Sequence, residues 1–371
     1  MDAECRLPFL PLQPIATTPL FMSASPTNST FRFALFLLLP ALFVLAILFR
    51  NPIRALFFSG VPRDIGTVVV CIPTGSDFKG VTDTLLRAGV IDDVEGFSWL
   101  AGKMGYKKSR MRAGRFEVKA GWTNRELIYH LRGGEQHPVA VVLSNERTLE
   151  NIAGKVARFL EPDSLAFLQI LSDPVVQSKL GLKPETMMTL FIPNTYAMFW
   201  NATPEDFVKR MKKEHDAYWS KNNRQKLAAS LKLSTQEVYT LASIVEKETN
   251  YKPERPTIAG VYLNRLRIDM KLQADPTCVF GSGDLNTRRV TNYHTTYDSP
   301  YNTYRYKGLP PGPICMASTN SIQAVLQPEN HDFLYFCARA DDSGTHAFAA
   351  TLPGHNVNVA RFREWMRSRG K

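Results

Sequence analysis

The sequence predicts an α+β protein in three parts: an N-terminal transmembrane helix, a small module of mixed strands and helices, and a larger mixed α+β domain. Three observations lead there. Residues 33–49 (FALFLLLPALFVLAILF) form a run of 17 residues without a charge, set between Arg32 and Arg50. Residues 66–145 alternate short β-branched runs with apolar residues at helical spacing. From Thr148 onward the pattern is mainly helical, interrupted by extended aromatic stretches.

Length and composition bound the rest. A chain of 371 residues with 44% hydrophobic residues is long enough for about two globular domains and excludes a wholly disordered chain. Lys and Arg number 45 against 34 Asp and Glu, so a polyanionic surface or polymer suits the net charge of +11. Without a finger, P-loop or RNP-like motif, that charge does not indicate nucleic acid. Cys5, Cys71, Cys278, Cys315 and Cys337 lack any CxxC pair, which argues against a zinc ribbon and leaves isolated thiols or one or two unassigned disulfides.

Taken in order, residues 1–32 are rich in Pro, Ser and Thr and read as a disordered cytoplasmic tail, within which Met22 is a second candidate start. Residues 33–49 are at the short end of a membrane span, and the flanking arginines extend it by snorkelling. The run ends in Arg50, Asn51 and Pro52 without the small residues of a signal-peptidase site. Arg50, Arg54 and Arg63 after the span outnumber Arg6 and Arg32 before it, a weak count that favours keeping the body of the protein inside. Residues 50–65 read as a juxtamembrane linker.

Within 66–145 the spacing predicts a strand near 67–72 and a helix through Val81, Leu85 and Leu86 ending near Gly89. A second helix covers 94–104, a strand surrounds Phe116 and Val118, and another strand covers 139–143. Thr123 with Glu126 is a capping box that starts a helix through Leu127 and Leu131. The densest basic run, Lys103, Lys107, Lys108, Arg110, Arg112 and Arg115, is either a face for an anionic membrane or polymer or a solvated surface.

The domain over 146–371 opens with a helix predicted over 148–160, and Ser164 starts another. Residues 187–200 read as extended, with a turn at Pro193 and Asn194, and Thr203 then caps a polar helix running past Trp219. Ser234 and Glu237 form a second capping box, so a helix begins at Thr235. Its apolar face is Val238, Leu241, Ile244 and Val245. Glu248, seven positions after Leu241 and four after Ile244, falls inside that stripe, whereas Glu246 lies about 140° away on the polar side. A carboxyl held half-buried at a helix C-terminus has its charged form disfavoured twice, which raises its pKa toward that of a general acid. A glutamate on a fraying last turn is the plainer reading, with Glu246 as competitor.

Residues 256–266 read as a further helix with Ile258, Val261, Tyr262 and Leu266 inward and Asn264 and Arg265 beside it. Gln273, Asp275 and Thr277 alternate along what reads as an extended segment and so point one way, although Asp275 before Pro276 equally suits a turn. Tyr301, Asn302, Thr303, Tyr304 and Tyr306 gather amides, hydroxyls and rings next to the stiff GLPPG connector, a wall suited to a sugar chain or a protein interface. A strand is expected over 333–339. His346 and His355 have neither HExxH spacing nor a companion carboxylate, so no metal and no cofactor is expected.

Taken together, ASIVEKET at 242–249, VYLNRLRIDMKLQADPT at 261–277, YNTY at 301–304, GLPPGPI at 308–314, YF at 335–336, HAF at 346–348 and HN at 355–356 resemble the MltG (YceG-like) family of membrane-anchored endolytic murein transglycosylases. The likeness runs from about Val68 to the C-terminus. It departs from the family at Met188, Thr189 and Asn194, where Glu, Gly and Asp are usual, and at the CMAS that follows GLPPGPI.

The resemblance implies a single-pass protein of the bacterial inner membrane with a periplasmic body, against the charge count. That body would be a LysM-like domain followed by a catalytic domain with a substrate groove. It implies peptidoglycan glycan strands as substrate, cleaved internally between N-acetylmuramic acid and N-acetylglucosamine to leave 1,6-anhydromuramic ends. Termination of nascent strands beside peptidoglycan synthases (penicillin-binding proteins) would follow. The family's catalytic glutamate precedes Thr in EKET and carries over to Glu248. Glu246, Asn264, Gln273, Asp275, Thr277, Tyr301, Asn302, Thr303, Tyr304, His346, His355 and Asn356 become substrate-binding or supporting residues. A muramidase using Asp275, or a non-catalytic cell-wall scaffold, are the other classes the sequence allows.

Overall fold

The computed structural model describes residues 60–287 and 289–370, together with Val44. The tail over 1–32, the span over 33–49 apart from Val44, and most of the linker lie outside the described residues. Among the described residues, no helix is long and apolar enough to cross a membrane.

Two hydrophobic cores divide the described residues. The smaller is built from β1 (Thr67–Ile72), α1 (Phe78–Arg87), α2 (Val94–Lys103), β2 (Gly114–Lys119) and α3 (Asn124–Gly133). β1 and β2 pair antiparallel from Thr67↔Lys119 to Ile72↔Gly114. Period-two alternation puts Val70, Ile72, Phe116 and Val118 on one face, where they meet Val81, Leu85, Phe97 and Leu127. Asp77, Asp93 and Thr123 cap the three helices, and Thr123 forms its capping box with Glu126. Val61, inside the stretch read as linker, is fully buried in this core, so the folded unit begins before residue 66.

The larger core begins with β3 (Val139–Leu143), which pairs antiparallel with β4 (Asn194–Met198). Val141 and Leu143 belong to this second core, so a strand assigned to the small module on sequence is part of the larger unit. Between them lie α4 (Leu149–Val156), α5 (Ser164–Ser172) and α6 (Pro174–Lys179). A 3₁₀ turn over Pro184–Leu190 follows, where an extended stretch was expected. Pro184 suits a first helical turn, and Leu190 and Phe191 pack inward from it. After α7 (Pro204–Ser220) and α8 (Arg224–Ser230) comes α9 (Thr235–Glu248), which touches α10 (Arg255–Arg267), α11 (Asp275–Ser282) and α13 (Thr319–Leu326). α12 (Asn292–Thr296) lies against α11. β5 (Tyr335–Ala338) and β6 (His346–Ala349) form a hairpin covered by α14 (Leu352–Ser368), a helix that the sequence reading did not include.

The capping box of Ser234 and Glu237 starts α9 at Thr235, as the spacing predicts. Its amphipathic reading understates it, because every residue from Val238 to Val245 is buried. Thr240 and Ser243 make this tolerable by turning their hydroxyls onto Gln236 O and Thr240 O. A helix buried all round is a rigid support for whatever stands at its end.

Between the two cores, the Thr74 amide donates to Glu161 Oε1 at 2.6 Å and its hydroxyl to Oε2 at 2.5 Å. Gly312 in the GLPPG connector packs so closely that a Cβ would sit 1.9 Å from Glu185 O.

Candidate active site

Glu248 is the last residue of α9, half-buried where the chain turns extended at Thr249. The Tyr262 hydroxyl donates to its Oε1 at 2.6 Å. Tyr262 is 1% exposed, and a buried phenol needs a partner; the polar end of this inward residue was the available signal for the pairing. Phe336 meets the Tyr262 ring edge-on at 5.9 Å and fixes it. One turn further along α10, Arg265 donates from Nε to Leu334 O at 2.6 Å and lies over the Tyr335 ring at 5.5 Å, holding the β5 approach against α10.

A pocket of about 250 Å³ opens over Glu248, with Asp275, Val279, Phe280 and Ile314 among its walls. Burial pushes the Glu248 carboxyl up to about 7. The Tyr262 hydrogen bond opposes this, the Asp275 charge adds to it, and the Arg265 charge opposes it. The group is therefore poised to give and take a proton near neutral pH. Asp275 is exposed in the same pocket and accepts a hydrogen bond from the Tyr304 hydroxyl. Burial, then Asp275, hold the Tyr304 phenol well above its usual range, so it remains a donor. Arg147, Lys247 and Arg289 also line this pocket. Sequence reasoning missed all three as site residues, because loops remote from α9 deliver Arg147 and Arg289.

Glu246 has a different environment from the one the helical wheel gave it. Its side chain is 12% exposed and forms a two-pronged ion pair with Arg255, Nη1 to Oε2 and Nη2 to Oε1, both at 3.0 Å. Ser321 Oγ at 2.7 Å, the Ser318 amide at 3.2 Å and the Ser318 hydroxyl also donate to Oε2. Burial pushes this carboxyl up, but the Ser318 and Ser321 hydrogen bonds and the Arg255 charge outweigh it and hold the pKa below the usual range. Glu246 thus anchors the start of α13, outside the pocket.

The remaining candidates separate into a wall and a frame. Gln273, Asp275 and Thr277 do not alternate along a strand, because α11 starts at Asp275 with Pro276 in its first turn. Gln273 has φ +46° and is exposed, whereas Thr277 is fully buried, bonded to Ala274 O at 2.6 Å and Thr303 Oγ1 at 2.8 Å. Asn302 is also fully buried and donates to the carbonyls of His294, Thr295 and Tyr297. Thr303 ties Ala274 N, so Asn302 and Thr303 hold the loop that presents Tyr304 to Asp275. Tyr301 packs on Phe280, a pocket wall, with ring centres 4.8 Å apart. Asn264 donates to His331 O and Phe333 O. His346 pairs with Glu254 at 2.8 Å and stands edge-on to Phe336. His355 stacks on Tyr335, and Asn356 is exposed on α14. The geometry brings Glu248 and Asp275 together with their Tyr262 and Tyr304 donors; Asn264, His346 and His355 are engaged with other groups and are not among the walls of this pocket.

Among known proteins, the chain is similar to the endolytic murein transglycosylase of Bacillus subtilis (strain 168), 29% identical over 78% of this chain and 83% of that one. It is similar to the endolytic murein transglycosylase of Streptococcus pneumoniae serotype 2 at 29% identity over 79% of this chain, but spans only 58% of that longer relative. A crystal structure of a yceG-like protein from Listeria monocytogenes superposes with a TM-score of 0.53 at 28% identity, covering 79% of this chain and 98% of that one. The YceG-like family model matches residues 70–361, and the chain belongs to that family.

Proposed function

We propose that this protein is an endolytic lytic transglycosylase of peptidoglycan, cleaving the bond between N-acetylmuramic acid and N-acetylglucosamine inside glycan strands. The observation that carries the reading is Glu248: a carboxyl raised to about 7 by burial, held by Tyr262, at a pocket large enough for part of a sugar ring. Its relatives in Bacillus and Streptococcus bear the same activity in their names.

Glu248 in its neutral form protonates the glycosidic oxygen as the C1–O bond breaks, and the substrate's own acetamido oxygen stabilises the positive charge at C1. The Glu248 carboxylate left behind then takes the proton of the C6 hydroxyl while O6 bonds to C1. One carboxyl group serves as acid and then base, the proton count closes, and no water enters the product. Burial raises the Glu248 pKa, the Asp275 charge adds to it, and Tyr304 orients Asp275.

Asp275 also favours the second reading, a muramidase in which it directs water to C1 across from the acid, since it is exposed in the same pocket. Digestion of purified glycan strands in ¹⁸O-labelled water separates the two. Unlabelled 1,6-anhydromuramic ends are expected; labelled reducing ends, with standards showing no back-exchange, would overturn the transglycosylase.

The rest of the reading concerns place. The strand–helix–helix–strand order of β1, α1, α2 and β2 supports a LysM-like glycan-binding module, and the uncharged run 33–49 supports a single inner-membrane anchor with a periplasmic body. Such an enzyme would act on nascent strands beside a peptidoglycan synthase and terminate their growth. Protease added to spheroplasts should digest the folded units; full protection until lysis would refute this topology.

A further inference from the structure

The basic run at 103–115 does not stay together in the fold. Lys107 lies over the Phe78 ring at 5.0 Å, and Arg115 donates to the His137 and Pro138 carbonyls. Lys108, Arg110 and Arg112 instead converge with Arg132, brought from α3, around a pocket of about 370 Å³ floored by Tyr106 and Met111. Two of the four cations are pre-positioned: Arg112 donates from one Nη to Gly134 O and lies over the Phe116 ring, and Arg132 donates from one Nη to Met104 O at 3.1 Å. Each guanidinium keeps further N–H groups for a ligand. Lys108 and Arg110 are exposed. None of the four forms an ion pair among the described residues, although ion pairs are frequent elsewhere on this surface. Tyr106 is 2% exposed, and its hydroxyl has no hydrogen-bond partner among the described residues.

We propose that this pocket binds a phosphate-bearing group at the membrane surface. Four uncompensated positive charges from two separate elements, with planar guanidinium forks among them, match the charge and the several acceptor oxygens of a phosphate ester or pyrophosphate. A single carboxylate would leave most of that charge unmatched. Position agrees: the apolar run ends at Phe49 and the folded unit begins at Gly60, a tether that reaches at most about 40 Å. Two sources share the chemistry, a phospholipid headgroup and the pyrophosphate that joins a lipid carrier to a growing glycan. The membrane position and the lipid-carrier source rest on the proposed function; the cation-lined pocket itself does not.

The test is calorimetric titration of the full-length chain in a phosphate-free maltoside detergent at low salt. Inorganic pyrophosphate, glycerophosphoglycerol and acetate are the probes. Saturable binding of one or both phosphate probes is expected, weakening as salt rises. Tighter binding of pyrophosphate assigns the site to the lipid-carrier source, and tighter binding of glycerophosphoglycerol assigns it to membrane headgroups. The double variant Lys108→Gln/Arg110→Gln removes two exposed side chains and should weaken binding at least about tenfold. Arg132→Gln provides the same test from α3, and Lys213→Gln/Lys226→Gln on the other unit should bind like wild type. Absence of saturable binding at low salt, acetate binding as tightly as pyrophosphate, or undiminished affinity in the double variant would each overturn the site.

Discussion

Tyr262 and Glu248, fourteen residues apart on successive helices, share a hydrogen bond of 2.6 Å in which the phenol donates to Oε1. With Oε1 occupied as an acceptor, the proton of the neutral acid belongs on Oε2. The bond therefore fixes the side chain and, under the proposed mechanism, leaves Oε2 as the oxygen that gives up the proton.

Removing that donor should shift the enzyme's pH profile. The hydrogen bond stabilises the carboxylate, so Tyr262→Phe should raise the Glu248 pKa above about 7. The alkaline limb of kcat/KM, where the acid loses its proton, should then move up by about one pH unit. An activity loss with an unmoved limb would mean that Tyr262 serves only packing.

Asp275→Asn should do the reverse. The Asp275 charge holds the Glu248 proton on, so neutralising it should move the same limb to lower pH. Products should remain 1,6-anhydro ends. A loss of turnover of about 100-fold or more with the residual activity's limb unmoved would point to Asp275 as a second reacting carboxylate.

Glu246 and Glu248 should fail differently. Glu248→Gln should lower turnover at least about 100-fold, the scale of general acid–base catalysis. Glu246→Gln leaves Arg255 buried with half its ion pair gone and the α13 anchor weakened, at a cost of about 3 kcal/mol of stability. Turnover per folded molecule should fall far less. Chemical denaturation alongside single-turnover kinetics checks both, and comparable kinetic losses would reject the separation of roles.

What was legible in the sequence was local. The capping boxes of Thr123 and Ser234 and the Thr203 cap with its Pro204 work across three residues, so their helices start where the spacing puts them. Glu248 stood out because an acid in an apolar stripe is an anomaly within one helix. Arg147 and Arg289 joined the pocket only when two distant loops closed over α9, and the pairing of Tyr262 with Glu248 needed α10 to pack on α9. The wheel misjudged Glu246 because it assumes one wet side, and α13 with Arg255 covers that side. Gln273–Thr277 misled because alternation in a short segment does not distinguish a strand from a turn entering a helix at Pro276. Helix α14 went unread for want of a core-facing stripe; none of its residues is buried.

Gly312→Ala tests the connector. A Cβ there would meet a backbone carbonyl, which cannot rotate away as a side chain can, so about 2 kcal/mol or more of stability should be lost. A thermal midpoint within a degree of wild type would show that the Glu185 segment yields freely.

The last prediction follows from holding an acid neutral by burial. Glu248 has a folded pKa of about 7 against an ordinary 4.5, so between those values the unfolded chain releases a proton that the native protein keeps. The native state binds more protons in that window, and this group's contribution to stability falls as pH rises through it. Above about pH 7 the penalty is complete, at about 3 kcal/mol. Glu246, with its pKa lowered, acts in the opposite direction and loses its contribution on acidification below its ordinary value. Glu248→Gln removes the first penalty while leaving Glu246 intact. The inactive variant should therefore equal wild type in stability near pH 4 and exceed it by about 3 kcal/mol at pH 8 in urea titrations. A difference independent of pH would show that Glu248 is solvated in the native state, which would remove the physical basis for its role as the acid.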